Sequence, residues 1–183
     1  CREVRVEGAN SVSAMVSADF ANDIALIQVS DSAGAVATFS DNPGAIKQGA
    51  EVVVFGFPLN AVLSSGGNVS PGVVSALTGL GNNTSQIQIT APIQPGSSGS
   101  PVFNRKGQVV GIVTAKLSDK AMARETGEIG QNVNFAVSGQ NLRRFLDANG
   151  VEYETGGPLS FKKSPVAIAD RARKFTFVVE CWK

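Results

Sequence analysis

Ser98 stands in the run Gly96-Ser97-Ser98-Gly99-Ser100-Pro101, and a serine framed in this way can act as an acyl-transfer nucleophile. A hydroxyl attacks an acyl carbon well only when it is exposed on a tight turn. Backbone N–H groups must also point at the oxygen that becomes negative. The flanking glycines permit such a turn and a close approach of substrate, and Pro95 stiffens its entry. Taken alone, the run also fits an ordinary Gly/Ser-rich surface turn. A serine nucleophile needs a base, and the 183 residues contain no histidine.

Other chemistries have less support. The only cysteines are Cys1 and Cys181, with no Cys-x-x-Cys pair, so a metal site is not expected and no cofactor is implied. The two thiols could form a disulfide closing nearly the whole chain, or stay free as small buried hydrophobes. The net charge of +1 and the short basic patch Arg171-Ala172-Arg173-Lys174 argue against a nucleic-acid partner. No apolar run reaches the roughly 20 residues that span a bilayer.

The elements that must hold Ser98 read mainly as strands. Val4 and Val6 alternate with charged neighbours. Further strands are expected over 12–16, 24–29, 51–58, 69–77, 86–90, 101–104, 109–116 and 132–137, separated by Gly and Asn clusters. Many short strands at this spacing indicate a sandwich or barrel. Helices are expected only late. Ser138 caps one over 139–148, with Gly150 past its end, and Ser164-Pro165 starts another. Gly156-Gly157-Pro158 reads as a linker, 118–131 as an exposed loop, and Phe175–Trp182 as a last strand.

Three segments carry a resemblance to a known family. They are Asn22-Asp23-Ile24-Ala25-Leu26-Ile27, Pro92 to Pro101, and Gly111-Ile112-Val113-Thr114-Ala115 with Asn134-Phe135-Ala136-Val137. In order and spacing the chain resembles the trypsin-like (chymotrypsin-fold) serine proteases, most closely the bacterial HtrA-like or Deg-type branch. The resemblance implies an all-β fold, a double six-stranded β-barrel with its N-terminal barrel incomplete, followed by a C-terminal helix and a short helix-strand tail. The protease domain would cover 1–150, with the remainder of the N-terminal barrel over 1–60 and the C-terminal barrel and helix over 61–150. Residues 151–183 would be an extension packed on the barrels, too short for a PDZ domain.

Roles follow from the same likeness. Ser98 is the expected nucleophile, Asp23 the triad aspartate, and the N–H groups of Gly96 and Ser98 the oxyanion hole. Thr114, Ala115 and Lys116 would pair with substrate backbone, and Ile93, Phe135 and Ala136 would shape the specificity pocket, although core packing accounts for those three nearly as well. Ser97 stands where digestive proteases carry the aspartate that pairs with a freed N-terminus. No acid is expected at the pocket base near Pro92 and Ile93, which favours cleavage after small or medium aliphatic residues. The family's histidine precedes its aspartate by more residues than precede Asp23, so it would fall upstream of Cys1. The expected function is a serine endopeptidase acting on polypeptides, with this stretch inactive alone and the missing N-terminal segment as a possible partner fragment. The alternative is a pseudo-protease that binds peptides. Another acyl hydrolase on this fold has no distinguishing feature. Disulfide use and the resemblance together imply export to the periplasm or outside the cell.

Overall fold

The computed structural model describes residues 3–8, 14–29, 34–42, 44, 46–58, 66–114, 133–157 and 160–182. Twelve strands are seen among them: β1 (Glu3–Val6), β2 (Ala14–Asp19), β3 (Ile24–Gln28), β4 (Thr38–Ser40), β5 (Glu51–Gly56), β6 (Asn68–Ala76), β7 (Gln86–Ile89), β8 (Pro101–Asn104), β9 (Val109–Val113), β10 (Asn134–Ser138), β11 (Glu154–Gly156) and β12 (Val179–Trp182). Two helices, α1 (Gly139–Ala148) and α2 (Pro165–Ala172), follow β10 and β11 respectively.

Six strands close into a barrel. The order runs β10-β7-β6-β5-β8-β9, and β9 pairs back onto β10. Strand side chains alternate between faces, and here both faces are covered. Inside the barrel, Val52 and Val54 of β5 meet Val74, Ile87, Ile89, Val102, Val110 and Ala136 from the other five strands. On the outside, Val53 and Phe55 of the same β5 join Phe103, Val109 and Val137 beneath Leu142 of α1 and Ile168, Ala169 and Ala172 of α2. This double burial is why β5 reads as an unbroken apolar run rather than an alternating one.

Local chemistry sets the helices as expected. The Ser138 Oγ accepts from the Asn141 N–H at 3.4 Å, and the Ser164 Oγ accepts from the Ala167 N–H at 3.2 Å. Each satisfies an N–H that the first helical turn cannot pair internally. Pro165 at the start of α2 gives up no helical hydrogen bond. Phe175, just past α2, meets Phe103 edge-on at 6.1 Å. Helix α2 and Phe175 are thus packed against the outer face of the barrel.

The structure differs from the sequence reading in four places. Gly156, expected to open a linker over 156–158, instead closes β11, which pairs in parallel with β4, itself parallel to β9. Strand β4 had no counterpart in the sequence reading. Arg143 of α1 holds this edge in place: it donates to the Ser40 carbonyl at 3.1 Å and to the Tyr153 hydroxyl at 3.0 Å. A lobe boundary at residue 60 is also displaced, because β5 belongs to the closed barrel through β6 and β8. Its composition suits any buried strand, so only the pairing assigns it. Finally, the terminal strand covers Val179–Trp182 alone, and Phe175–Val178 runs outside it. The expected loop over 118–131 lies outside the described residues.

The remaining strands form no second closed barrel among the described residues. β2 and β3 make an antiparallel hairpin, and β1 pairs antiparallel with β12.

Candidate active site

The Ser98 loop lies between β7 and β8 and is pinned on all sides except at the serine. Ser97 donates its N–H to the Gln94 carbonyl at 3.0 Å, and Ser100 donates to the Ser97 carbonyl at 3.0 Å. These are two consecutive turns. Gly99 donates to the Val113 carbonyl at 2.8 Å, while the Val113 N–H returns to the Ser100 carbonyl at 2.9 Å, which fastens the loop to β9. The side chains of Ser97 and Ser100 are buried, whereas Ser98 is exposed. Gly96 has φ +89°, a conformation that nearly every other residue avoids. Among the described residues, the N–H groups of Gly96 and Ser98 have no hydrogen-bond acceptor. Two unpaired donors flanking an exposed hydroxyl are what a developing oxyanion requires.

A second close fit supports the loop from below. Gly56, the last residue of β5, sits where an added Cβ would overlap the Ser100 hydroxyl. Glycine there lets β5 and the Ser98 loop touch.

Asp23 is delivered by the β2–β3 turn. At the end of β2, the Asp19 carboxylate accepts from the N–H groups of Ala21 at 3.0 Å and Asn22 at 3.1 Å, and from the Asn22 side-chain amide at 2.6 Å. The Asn22 side chain and the two backbone donors hold Asp19 below the ordinary carboxylate range. The turn so formed leaves Asp23 exposed at φ +55°, in the left-handed region that aspartate tolerates better than most residues.

Asp23, Gly96 and Ser98 line one cavity of about 480 Å³. Its wall is mostly apolar: Ile24 and Leu26 of β3, Phe57, and Phe145 and Leu146 of α1 contribute, and Thr176 to Val179 close one side. The hydroxyl of Thr176 is buried with no hydrogen-bond partner. The sequence reading did not place Thr176–Val179 at the site; an apolar segment before a terminal strand carries no signal for what it covers.

The other expected site residues are placed differently. Ile93 and Ala136 pack inside the barrel with Val74 and Ile89. Phe135 is buried on β10, and none of the three lines the Asp23–Ser98 cavity. Thr114 is buried, and both its N–H and its hydroxyl donate to the Phe135 carbonyl, at 3.1 and 3.2 Å, extending the β9–β10 pairing by one residue. Ala115 and Lys116 lie outside the described residues. No group of three or more metal-ligating side chains occurs among the described residues. Cys181 is disulfide-bonded, so the alternative of free thiols does not hold there; Cys1, the only other cysteine in the sequence, lies outside the described residues.

Comparison with known proteins supplies the family. Residues 2–112 match the family model for the trypsin-like peptidase domain. A Sinorhizobium fredii protein designated y4bJ is 44% identical over 91% of this chain and 26% of its own length. The Escherichia coli periplasmic serine endoprotease DegP is 34% identical over 76% of this chain and 28% of its own length. The Bacillus subtilis serine protease Do-like HtrB is 28% identical, covering 78% and 33% respectively. The chain therefore spans a third or less of the length of these relatives. With its closed six-stranded barrel and its matched segment, the chain belongs to the trypsin-like peptidase family and is homologous to the HtrA/DegP serine proteases.

Proposed function

We propose that this chain is the part of a serine endopeptidase that carries the nucleophile Ser98, its oxyanion hole at the N–H groups of Gly96 and Ser98, and the triad aspartate Asp23. The observation that carries the reading is the shared cavity: Asp23 and Ser98 line it together, beside two N–H donors left without acceptors. Ser98 would attack the scissile carbonyl, giving an acyl-enzyme and releasing the amine. The oxyanion would rest on the two N–H groups, and Asp23 would orient and charge-stabilise an imidazole.

None of the 183 residues is a histidine, so the proton on Ser98 has no base of the usual kind within them. A neutral serine is a weak nucleophile. The chain by itself is therefore read as inactive, with its general base supplied from outside these residues. The substrate class is polypeptide, with small or medium aliphatic residues preferred at the cleavage site. Residues Ile93, Phe135 and Ala136 would then act as the packed backing of the specificity pocket, and Thr114–Lys116 as the strand that pairs with substrate. A disulfide at Cys181 and the periplasmic relatives support an exported protein. No helix among the described residues is long and apolar enough to cross a membrane.

Chemical rescue tests the reading on the chain as it stands. A general base is worth about 10²–10⁴ in rate. Imidazole added with an activated ester should acylate Ser98 ahead of every other hydroxyl, read by peptide mass spectrometry, and the Ser98→Ala variant should lose that peptide's label. Without imidazole, a fluorophosphonate should label Ser98 only slowly. Rapid labelling without added base, or acylation scattered without preference for Ser98, would contradict the proposal.

A further inference from the structure

The segment after α2 is held at its two ends and crosses the cavity between them. At one end Phe175 and Thr176 donate their N–H groups to the Ala172 carbonyl at 3.1 and 3.0 Å, and Phe175 is seated on Phe103. At the other end β12 pairs with β1, from Val6 opposite Val179 to Glu3 opposite Trp182. Between these anchors the Val178 carbonyl accepts from the Glu7 N–H at 2.9 Å. Thr176, Phe177, Val178 and Val179 all line the cavity that holds Asp23 and Ser98.

The two anchors differ in kind. The α2 end is set in the outer core with Ile168 and Ala172. The β1–β12 end is a ribbon of two four-residue strands, with every β12 residue exposed. An isolated two-stranded ribbon is marginal in water at best. Arg5 lies over the Trp182 ring at 4.7 Å, a contact of modest strength when exposed. The strong tie at this end is covalent, the disulfide of Cys181, in the middle of β12 opposite Val4.

We propose that Phe175–Trp182 is a redox-released strap: the Cys181 disulfide keeps Thr176–Val179 against the Asp23–Ser98 cavity, and reduction frees that wall while the barrel stays folded. The step takes two electrons and two protons from a dithiol. The protein disulfide becomes two thiols, and the dithiol becomes a disulfide. Freed, the strap withdraws three apolar wall residues and Thr176 with its orphaned hydroxyl, leaving the cavity that holds Ser98 open to an extended peptide. That last consequence rests on Ser98 being the nucleophile. The test below reads protection rather than hydrolysis, so the two ideas can fail separately.

Trp182 is the sole tryptophan, so its fluorescence reports the strap alone. The full chain is compared oxidised, reduced with dithiothreitol, and reoxidised, together with the Cys181→Ser variant. Reduction should raise acrylamide quenching of Trp182 by about twofold or more. It should also speed amide exchange at least tenfold in Glu3–Val6 and Thr176–Trp182, reversibly. Exchange in β5 to β10 should not change. Unchanged quenching and exchange on full reduction overturns the proposal. So does loss of protection across β5 to β10, which would make the bond a support of the whole fold. Should Cys181→Ser fail to fold, the reversible dithiothreitol comparison on the unmodified chain decides.

Discussion

Replacing Gly56 by alanine tests whether the Ser98 loop is held by steric fit against β5. The new Cβ would overlap the Ser100 hydroxyl and lie 2.9 Å from the Ser100 Cβ. Ser100 is 5% exposed, and its N–H and carbonyl are both engaged, at 3.0 Å to Ser97 and 2.9 Å from Val113. It cannot retreat without breaking one of the bonds that shape the turn around Ser98. Overpacking of this kind costs about 1–3 kcal/mol. An opposing effect is present: Gly→Ala stabilises by about 0.4–1 kcal/mol through the unfolded chain when the site has room. Gly157 provides that control, since a Cβ there meets nothing within 4 Å. In urea unfolding followed by circular dichroism, Gly157→Ala should be neutral or slightly stabilised. Gly56→Ala should fall below it by about 1–3 kcal/mol, with a melting point lower by roughly 2–12 °C for a domain of this size. Amide exchange should also quicken at Ser97–Ser100. Equal stability of the two variants, with unchanged exchange in the loop, would refute the steric account.

Two further outcomes follow from packing and charge. Ile168 of α2 is 1% exposed; Ile168→Ala should cost about 2–5 kcal/mol in a denaturation experiment, because the void would open in the outer core it shares with Val53, Phe55 and Phe103. The Asp19 carboxyl is held below its ordinary value of 3.8, so it favours the folded turn while ionised. The unfolded chain binds this proton first as pH falls, so the contribution is whole above about 3.8 and is lost as pH drops through the lower folded value. Amide exchange at Ala21 and Asn22, read by NMR, should therefore lose protection in that acid window, and Asp19→Ala should remove the pH dependence.

Much of this was legible in the residues, and the failures share a cause. The capping serines Ser138 and Ser164 announce α1 and α2 because a cap is a local device, complete within four residues. The tight turn at Ser98 was legible for the same reason: the glycines that shape it are its neighbours. Strands β4 and β11 were not, since each is three residues long and is made by pairing with the other, more than a hundred positions away. The sides of the barrel were equally hidden. Ala136 and Val137 are adjacent apolar residues on β10, yet one fills the barrel and the other lies under the helices. Periodicity says that they part ways, not which way each goes. For the same reason the apolar residues Ile93 and Ala136, expected at a pocket wall, are found in the barrel core, and the wall residue Phe177 was not singled out.

The pairing of β1 with β12 also determines how the molecule would respond to tension. Glu3 faces Trp182, so the outer ends of both strands leave from the same end of the ribbon. A pull applied to the two ends would load these hydrogen bonds one after another, as a zipper is opened, rather than all together in shear. The ribbon alone would yield at low force. The bond at Cys181 sits one residue into that zipper and takes the load almost at once, before it is passed along Thr176–Val179 toward α2. In the oxidised chain, then, mechanical strain on the ends is stopped at the ribbon and the cavity beside Ser98 is insulated from it. In the reduced chain the ribbon opens first, and the cavity wall that follows it is the next part of the molecule that tension would move.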